Sequence, residues 1–221
     1  MKKTPPHKLA IGLPDYLRIF RVMNAVMDGL NSDRSKCCLF FSVTGAAILK
    51  HFYRKEARVL AGSAFYLVDD PTSSVLAITK FADGELDKGV IDSDRSGFHC
   101  WVECEGQVID FQAPVFPEAL AQTGNPVRIP RKMFQKPRAL MVAGPTMHEQ
   151  IGDFYLQPNL ALTNDLVPGF LDHPASKDLM NICLTWFTRP PKSIQRTFAM
   201  GNDVGELFKL QLSEIDLSGA W

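Results

Sequence analysis

The chain has 221 residues, with 24 Lys and Arg against 24 Asp and Glu, 46% hydrophobic and 22% charged. This composition excludes a disordered, collagenous or coiled-coil chain, and folding at this length removes roughly 70–75% of the extended surface from water, enough for a sizeable core. A formal charge of zero gives no global field for nucleic acid or anionic lipid, and the longest charge-free run, residues 37–49, falls short of a bilayer span of about twenty residues.

Neither a nucleic-acid nor a membrane partner is therefore expected. The five cysteines are odd in number and match no disulfide framework, which predicts free thiols and a cytoplasmic protein. The start Met1-Lys2-Lys3 has the charge of a signal peptide, but Pro5, Pro6, Asp15 and Arg18 interrupt the apolar region that export requires.

Pro14 suits the first turn of a helix, along which Tyr16, Phe20, Met23, Met27 and Leu30 recur at helical spacing until Gly29 and Asn31. A polar turn at residues 31–35 precedes a second helix, for which Ser35 is the expected N-cap. Its small positions Ser42, Gly45, Ala46 and Ala47 predict close packing in a central place. The period changes to two over residues 57–67, a strand, and residues 74–80 read as another. Residues 83–97 form a polar loop rich in acids, and residues 98–104 and 108–111 form a hairpin turning at Glu105-Gly106. Beyond residue 115 prolines divide the chain, leaving one helix starting with Ser176 as cap and a last strand through Phe208, Leu210 and Leu212. The expected organisation is one domain over residues 1–221, a catalytic-like core over about 14–115 and a C-terminal extension over about 116–221.

With Ser35 as N-cap, Cys38 occupies the third helical position, where free backbone N–H groups and the positive helix end favour thiolate over thiol. The hairpin register places Trp101 opposite Asp110, so His99 and Asp110 share a face as diagonal neighbours about 7–8 Å apart at the backbone. A carboxylate there fixes the tautomer of an imidazole and stabilises the imidazolium that forms when it takes a thiol proton. Adjacent helical residues point about 100° apart, so only one of Cys37 and Cys38 can face His99. Trp101 shares the His99 face and is a candidate wall of the cleft, and Asn31 is a candidate side-chain donor to an oxyanion. Cys100 and Cys104 fall on the opposite strand face, and their spacing fits no common zinc motif, so no metal is expected.

Cys38-Leu39-x-x-Ser42, Leu49, Ala57-Arg58-Val59-x-x-Gly62, His99-Cys100-Trp101-Val102-Glu103 and Asp110 together resemble the transglutaminase-like branch of the papain-like cysteine superfamily, over roughly residues 30–115. The resemblance implies an α+β, papain-like fold with the nucleophile helix packed on an antiparallel sheet. It also implies Cys38 as nucleophile, His99 as base and Asp110 as orienting residue, with no cofactor. Here Ser-Lys-Cys-Cys stands where Gly-x-Cys often precedes the catalytic helix, so substrate class does not carry over. The expected function is hydrolysis of an amide or isopeptide bond in a small molecule or peptide through a thioacyl intermediate. The alternatives are an acyltransferase, transglutaminase-like or arylamine-acetyltransferase-like, and a degenerate module that binds a peptide or protein. The acids of residues 83–97, bordering the entrance, would favour cationic substrates.

Overall fold

The computed structural model describes residues 9–69, 75–80, 91–202 and 204–221. Helix α1 (Leu13–Gly29) has Pro14 in its first turn and buries Tyr16, Ile19, Phe20, Met23 and Met27 along the expected stripe. Helix α2 (Cys38–Tyr53) is buried along most of its length, and Gly45 lies so close to the Phe111 ring that a Cβ would overlap it.

The start of α2 corrects the expectation for Ser35. Asp33 accepts hydrogen bonds from the backbone N–H of Ser35 at 3.2 Å and from its hydroxyl at 2.6 Å. That local bond winds residues Arg34–Lys36 into a 3-10 turn and leaves Cys37 as the N-cap. An aspartate two residues ahead competes well for a backbone donor, so the turn forms before the helix proper. Cys38 is consequently the first residue of α2, nearer the positive end than expected.

Strand β1 (Ala57–Leu67) is followed by β2 (Val75–Ile78), β3 (His99–Cys104) and β4 (Gln107–Asp110). The β3–β4 register, with Val102 opposite Ile109 and Cys104 opposite Gln107, closes through Glu105 at φ 50° and Gly106 at φ 74°. Both signs are positive, as a two-residue hairpin turn requires. Helix α3 (Phe116–Gln122) then precedes β5 (Phe134–Pro137) and β6 (Phe154–Pro158), which pair antiparallel with β4 and β1 respectively. Every pairing between the strands of this sheet is antiparallel, and helices accompany it, so the chain is α+β.

Gly62 pairs with both β3 and β6, and residues 64–66 pair with both β2 and β6. Hence β2 and β3 lie end to end along one side of β1. The chain crosses tightly at that junction, where a Cβ on Gly97 would lie 2.6 Å from the Thr79 carbonyl oxygen.

Strand alternation divides the core. Val102, Ile109 and Phe111 pack with α1, α2, Trp186 and Phe187, whereas Leu60, Tyr66, Trp101, Val108 and Phe134 pack on the other face with Phe116 and Leu120 of α3. The sheet is thus covered on both faces rather than backed by helices on one.

Past residue 115 the structure holds more than the sequence pattern reveals. Helix α4 (Leu160–Asp172) carries Pro168 in its interior and is capped by Asn159, whose side chain accepts from the Leu162 N–H at 3.0 Å. Helix α5 (Pro174–Trp186) begins at Pro174 after His173, not at a Ser176 cap, because proline suits a first turn whose N–H would be unpaired. Strands β7 (Thr197–Gly201) and β8 (Leu207–Gln211) form a separate hairpin, with Leu210 packed against Gly29 of α1. Among the described residues, no helix is long and apolar enough to cross a membrane.

Candidate active site

Three elements converge at the junction of β2 and β3. The N-terminus of α2 supplies Cys38, the start of β3 supplies His99 and the end of β4 supplies Asp110. His99 Nε2 lies 2.6 Å from Asp110 Oδ2, with both side chains almost wholly buried. The Cys38 thiol lies near enough to His99 and Cys100 for both to shift its titration, and among the described residues His99 Nδ1 has no hydrogen-bond partner. A cleft of about 460 Å³ opens over Cys38 and His99, bordered by Lys36, Thr79, Arg95 and Phe98 among others.

Around the carboxylate every oxygen is used. Oδ2 also accepts from the Tyr66 hydroxyl at 2.9 Å, and Oδ1 accepts from the Gln112 N–H at 2.9 Å. The Tyr16 hydroxyl donates to the Asp110 carbonyl, tying α1 to the same strand end. Burial and the Asp110 charge push the Tyr16 and Tyr66 phenols well above their ordinary range, so both stay neutral donors.

The loop bearing Cys38 is held to the same strand. Gln112 donates through Nε2 to the Arg34 carbonyl at 2.6 Å, and Gln122 of α3 reaches Ser35 and Asp33 at 2.9 and 3.1 Å. Gln112 therefore links the Asp110 carboxylate to the turn that precedes the nucleophile.

Electrostatics follow from this packing. The Cys100 side chain, opposed by burial, and then the His99 ring and its charge bring the Cys38 thiol down to about 5. Burial alone would keep His99 neutral, but the Asp110 charge and hydrogen bond, with Cys38 adding to them, raise the ring to about 10. Together these shifts describe a thiolate–imidazolium pair at neutral pH. Cys37 differs: its sulfur donates to the Asp33 carbonyl at 3.2 Å, and burial first, then the neighbouring Cys38, pushes it up to about 11.

Two candidate residues lie elsewhere. Asn31 sits exposed at φ 52° in the turn after α1, with its N–H bonded to the Asp28 carbonyl at 2.9 Å, so it closes a helix rather than bordering the cleft. Trp101 is fully buried among Leu60, Tyr66 and Val108, where a large indole gains more from the core than from a solvent-facing wall. His51, His148 and His173 are also absent from the cleft lining among the described residues.

The charge expectation rests largely on residues outside the described ones. Asp83, Glu85 and Asp87 lie outside the described residues. Asp92 and Asp94 are engaged by Lys80 at 3.6 and 3.0 Å, while the charged residues bordering the cleft are the cations Lys36 and Arg95. Those two cations are themselves paired, Lys36 with Asp33 at 3.0 Å and Arg95 with Asp165 at 2.7 Å. The basic stretch near residue 131 is likewise spent internally: Arg131 binds Glu118, Arg138 binds Glu103 and Lys132 covers the Trp221 ring.

Tyr66, Gln112 and Cys100 are site residues that sequence reasoning missed. Tyr66 alternates inward on β1 like any core aromatic, and Cys100 reads as the back face of the histidine strand. Only their partners across the fold mark them.

A family model described as protein of unknown function (DUF2026) matches residues 12–221. The chain belongs to the DUF2026 family. The crystal structure of the genomics target APC5867 is similar to this DUF2026 chain, with 28% identity and a TM-score of 0.83 over 99% of this chain and 100% of that one. No curated protein matches.

Proposed function

We propose that this chain is a cysteine-dependent amide or isopeptide hydrolase with a papain-like, transglutaminase-like architecture. The observation that carries the reading is the buried His99–Asp110 pair with Cys38 beside it, Cys38 and His99 both bordering one cleft. The residue order along the chain and the antiparallel sheet behind α2 support it. That β5 and β6 complete the sheet begun by β1 to β4 supports reading the chain as one domain. Five free cysteines support a reducing, cytoplasmic setting.

In the proposed cycle the Cys38 thiolate adds to the substrate carbonyl carbon, forming a C–S bond as the π pair moves to oxygen. The oxyanion collapses, and His99 gives its proton to the departing amine nitrogen as the C–N bond breaks. Water then loses a proton to His99 while attacking the thioester, and the carboxylic acid leaves as Cys38 regains its thiolate. As the first residue of α2, Cys38 has no intrahelical acceptor for its own N–H, which lies beside the forming oxyanion at the positive helix end. Asp110 holds the ring through Nε2, leaving Nδ1 for sulfur and substrate.

The shared position of Cys38 and His99 at one cleft, with the ring near enough to lower the thiol, favours catalysis over a degenerate binding module. The test is intact-mass screening of wild type and Cys38→Ala against peptides, acyl amides and thioesters. An acyl adduct on wild type alone, released by water, supports hydrolysis, and release only by an amine selects acyl transfer instead. Turnover that survives Cys38→Ala would overturn the reading.

A further inference from the structure

Cys100 has no part in the cycle above, yet its side chain packs in the same buried cluster as Cys38 and each shifts the other's titration. The two sulfurs sit in one small apolar cluster with Ala61, Leu162 and Leu166. Cys100 is fully buried, while Cys38 borders the cleft, so a small oxidant entering from solvent meets Cys38 first. The other thiols have different surroundings: Cys37 is turned to the Asp33 carbonyl, and Cys104 and Cys183 pack in the cluster formed with α1 and α2.

We propose that Cys38 and Cys100 form a reversible disulfide, with Cys38 as the peroxide-reactive sulfur and Cys100 as the resolving thiol. The inference rests on Cys38 being the reactive nucleophile. In the first step the Cys38 sulfur attacks one peroxide oxygen, the O–O bond breaks, and the leaving hydroxide takes the His99 proton as water. Cys38 is now a sulfenic acid, oxidised by two electrons as the peroxide is reduced. Cys100 sulfur then attacks the Cys38 sulfur, His99 relays the Cys100 proton to the departing hydroxyl, and a second water leaves. Side chains already packed in one cluster need only rotate and close to the S–S length of about 2.05 Å. The product blocks the nucleophile while sparing it from irreversible oxidation, and a cellular dithiol would restore it.

The test treats the full chain with hydrogen peroxide near equimolar ratio. Before peroxide, iodoacetamide should label Cys38 first. Slow labelling there would overturn the functional reading, and this inference with it. After peroxide, wild type should lose about 2 Da and join the tryptic peptide of residues 37–50 to that of residues 96–128. A Cys37→Ser background and fragmentation of the second peptide assign the bond to Cys38 and Cys100. Labelling should fall about tenfold and return with dithiothreitol. With a second equivalent of peroxide, Cys100→Ser and Cys100→Ala should instead gain about 32 Da as sulfinic acid, with labelling unrecovered by dithiothreitol. Rapid labelling of Cys38 before peroxide, followed by oxygen gain without a disulfide in wild type, would overturn the inference alone. A disulfide persisting in both Cys100 variants would do the same.

Discussion

Replacing His99 with Ala tests whether the ring sets the state of Cys38, and the structure yields a magnitude that depends on pH. In wild type the thiol titrates near 5. Without the ring, the Cys100 side chain and burial oppose one another, and the thiol returns toward the ordinary value of 9.0. At pH 6 the thiolate fraction then falls from about 0.9 to about 0.001, whereas the more basic thiolate is intrinsically faster by about sixtyfold, given a Brønsted coefficient near 0.45. The net effect is about fifteenfold slower alkylation at pH 6. At pH 8 the fractions differ by only about tenfold, so the variant should label as fast as wild type or faster. The assay is iodoacetamide labelling of Cys38 followed by peptide mass, between pH 5 and 9, with near-ultraviolet circular dichroism to confirm the fold. Parallel pH profiles in the two proteins would refute the ion pair.

Turnover should depend on pH with limbs near 5 and 10, the range in which Cys38 is thiolate and His99 imidazolium, as read from kcat/KM. The stability signs follow. Cys38, depressed from 9.0, contributes fully above 9.0 and loses its share as pH falls through about 5, whereas His99, raised from 6.5, contributes fully below 6.5 and loses its share as pH rises through about 10. Tyr66→Phe removes one of two donors to Asp110 Oδ2 and should lower kcat about tenfold, equivalent to about 1.4 kcal/mol, with little change in KM. An unchanged kcat would show that the hydroxyl only fills the core. Gly62→Ala sets a Cβ against the Gln157 carbonyl of β6 and should cost about 1–3 kcal/mol in urea unfolding, and a cost near zero would mean that β6 yields easily.

How much of this was legible in one dimension depends on the range of the interactions. The α1 stripe, the β1 alternation and the Glu105-Gly106 turn are local, and hairpin register follows from turn length, so His99 and Asp110 could be set on one face without coordinates. The start of α2 was missed by a few residues because Asp33 accepts both the N–H and the hydroxyl of Ser35, which winds a 3-10 turn where the helix was expected to begin. Asn31 and Trp101 looked functional by proximity and by face, but position along a strand says nothing of whether that face meets solvent or a second packed layer.

By itself the sequence determined the α+β class, the β3–β4 hairpin with His99 and Asp110 on one face, and a helix beginning close to Cys38, since each follows from periodicity or turn geometry. Tertiary structure alone decided that α2 starts at the β2–β3 junction, that Tyr66 and Gln112 complete the carboxylate's bonds, and that Cys100 packs in one cluster with Cys38. It also decided the layout past residue 115, where α4 keeps Pro168 within a packed helix and β5 and β6 return to a sheet begun much earlier in the chain. The physical reason is that such contacts join residues far apart in sequence. Their free energy comes from burial and paired polar groups that exist only once the sheet has closed around them.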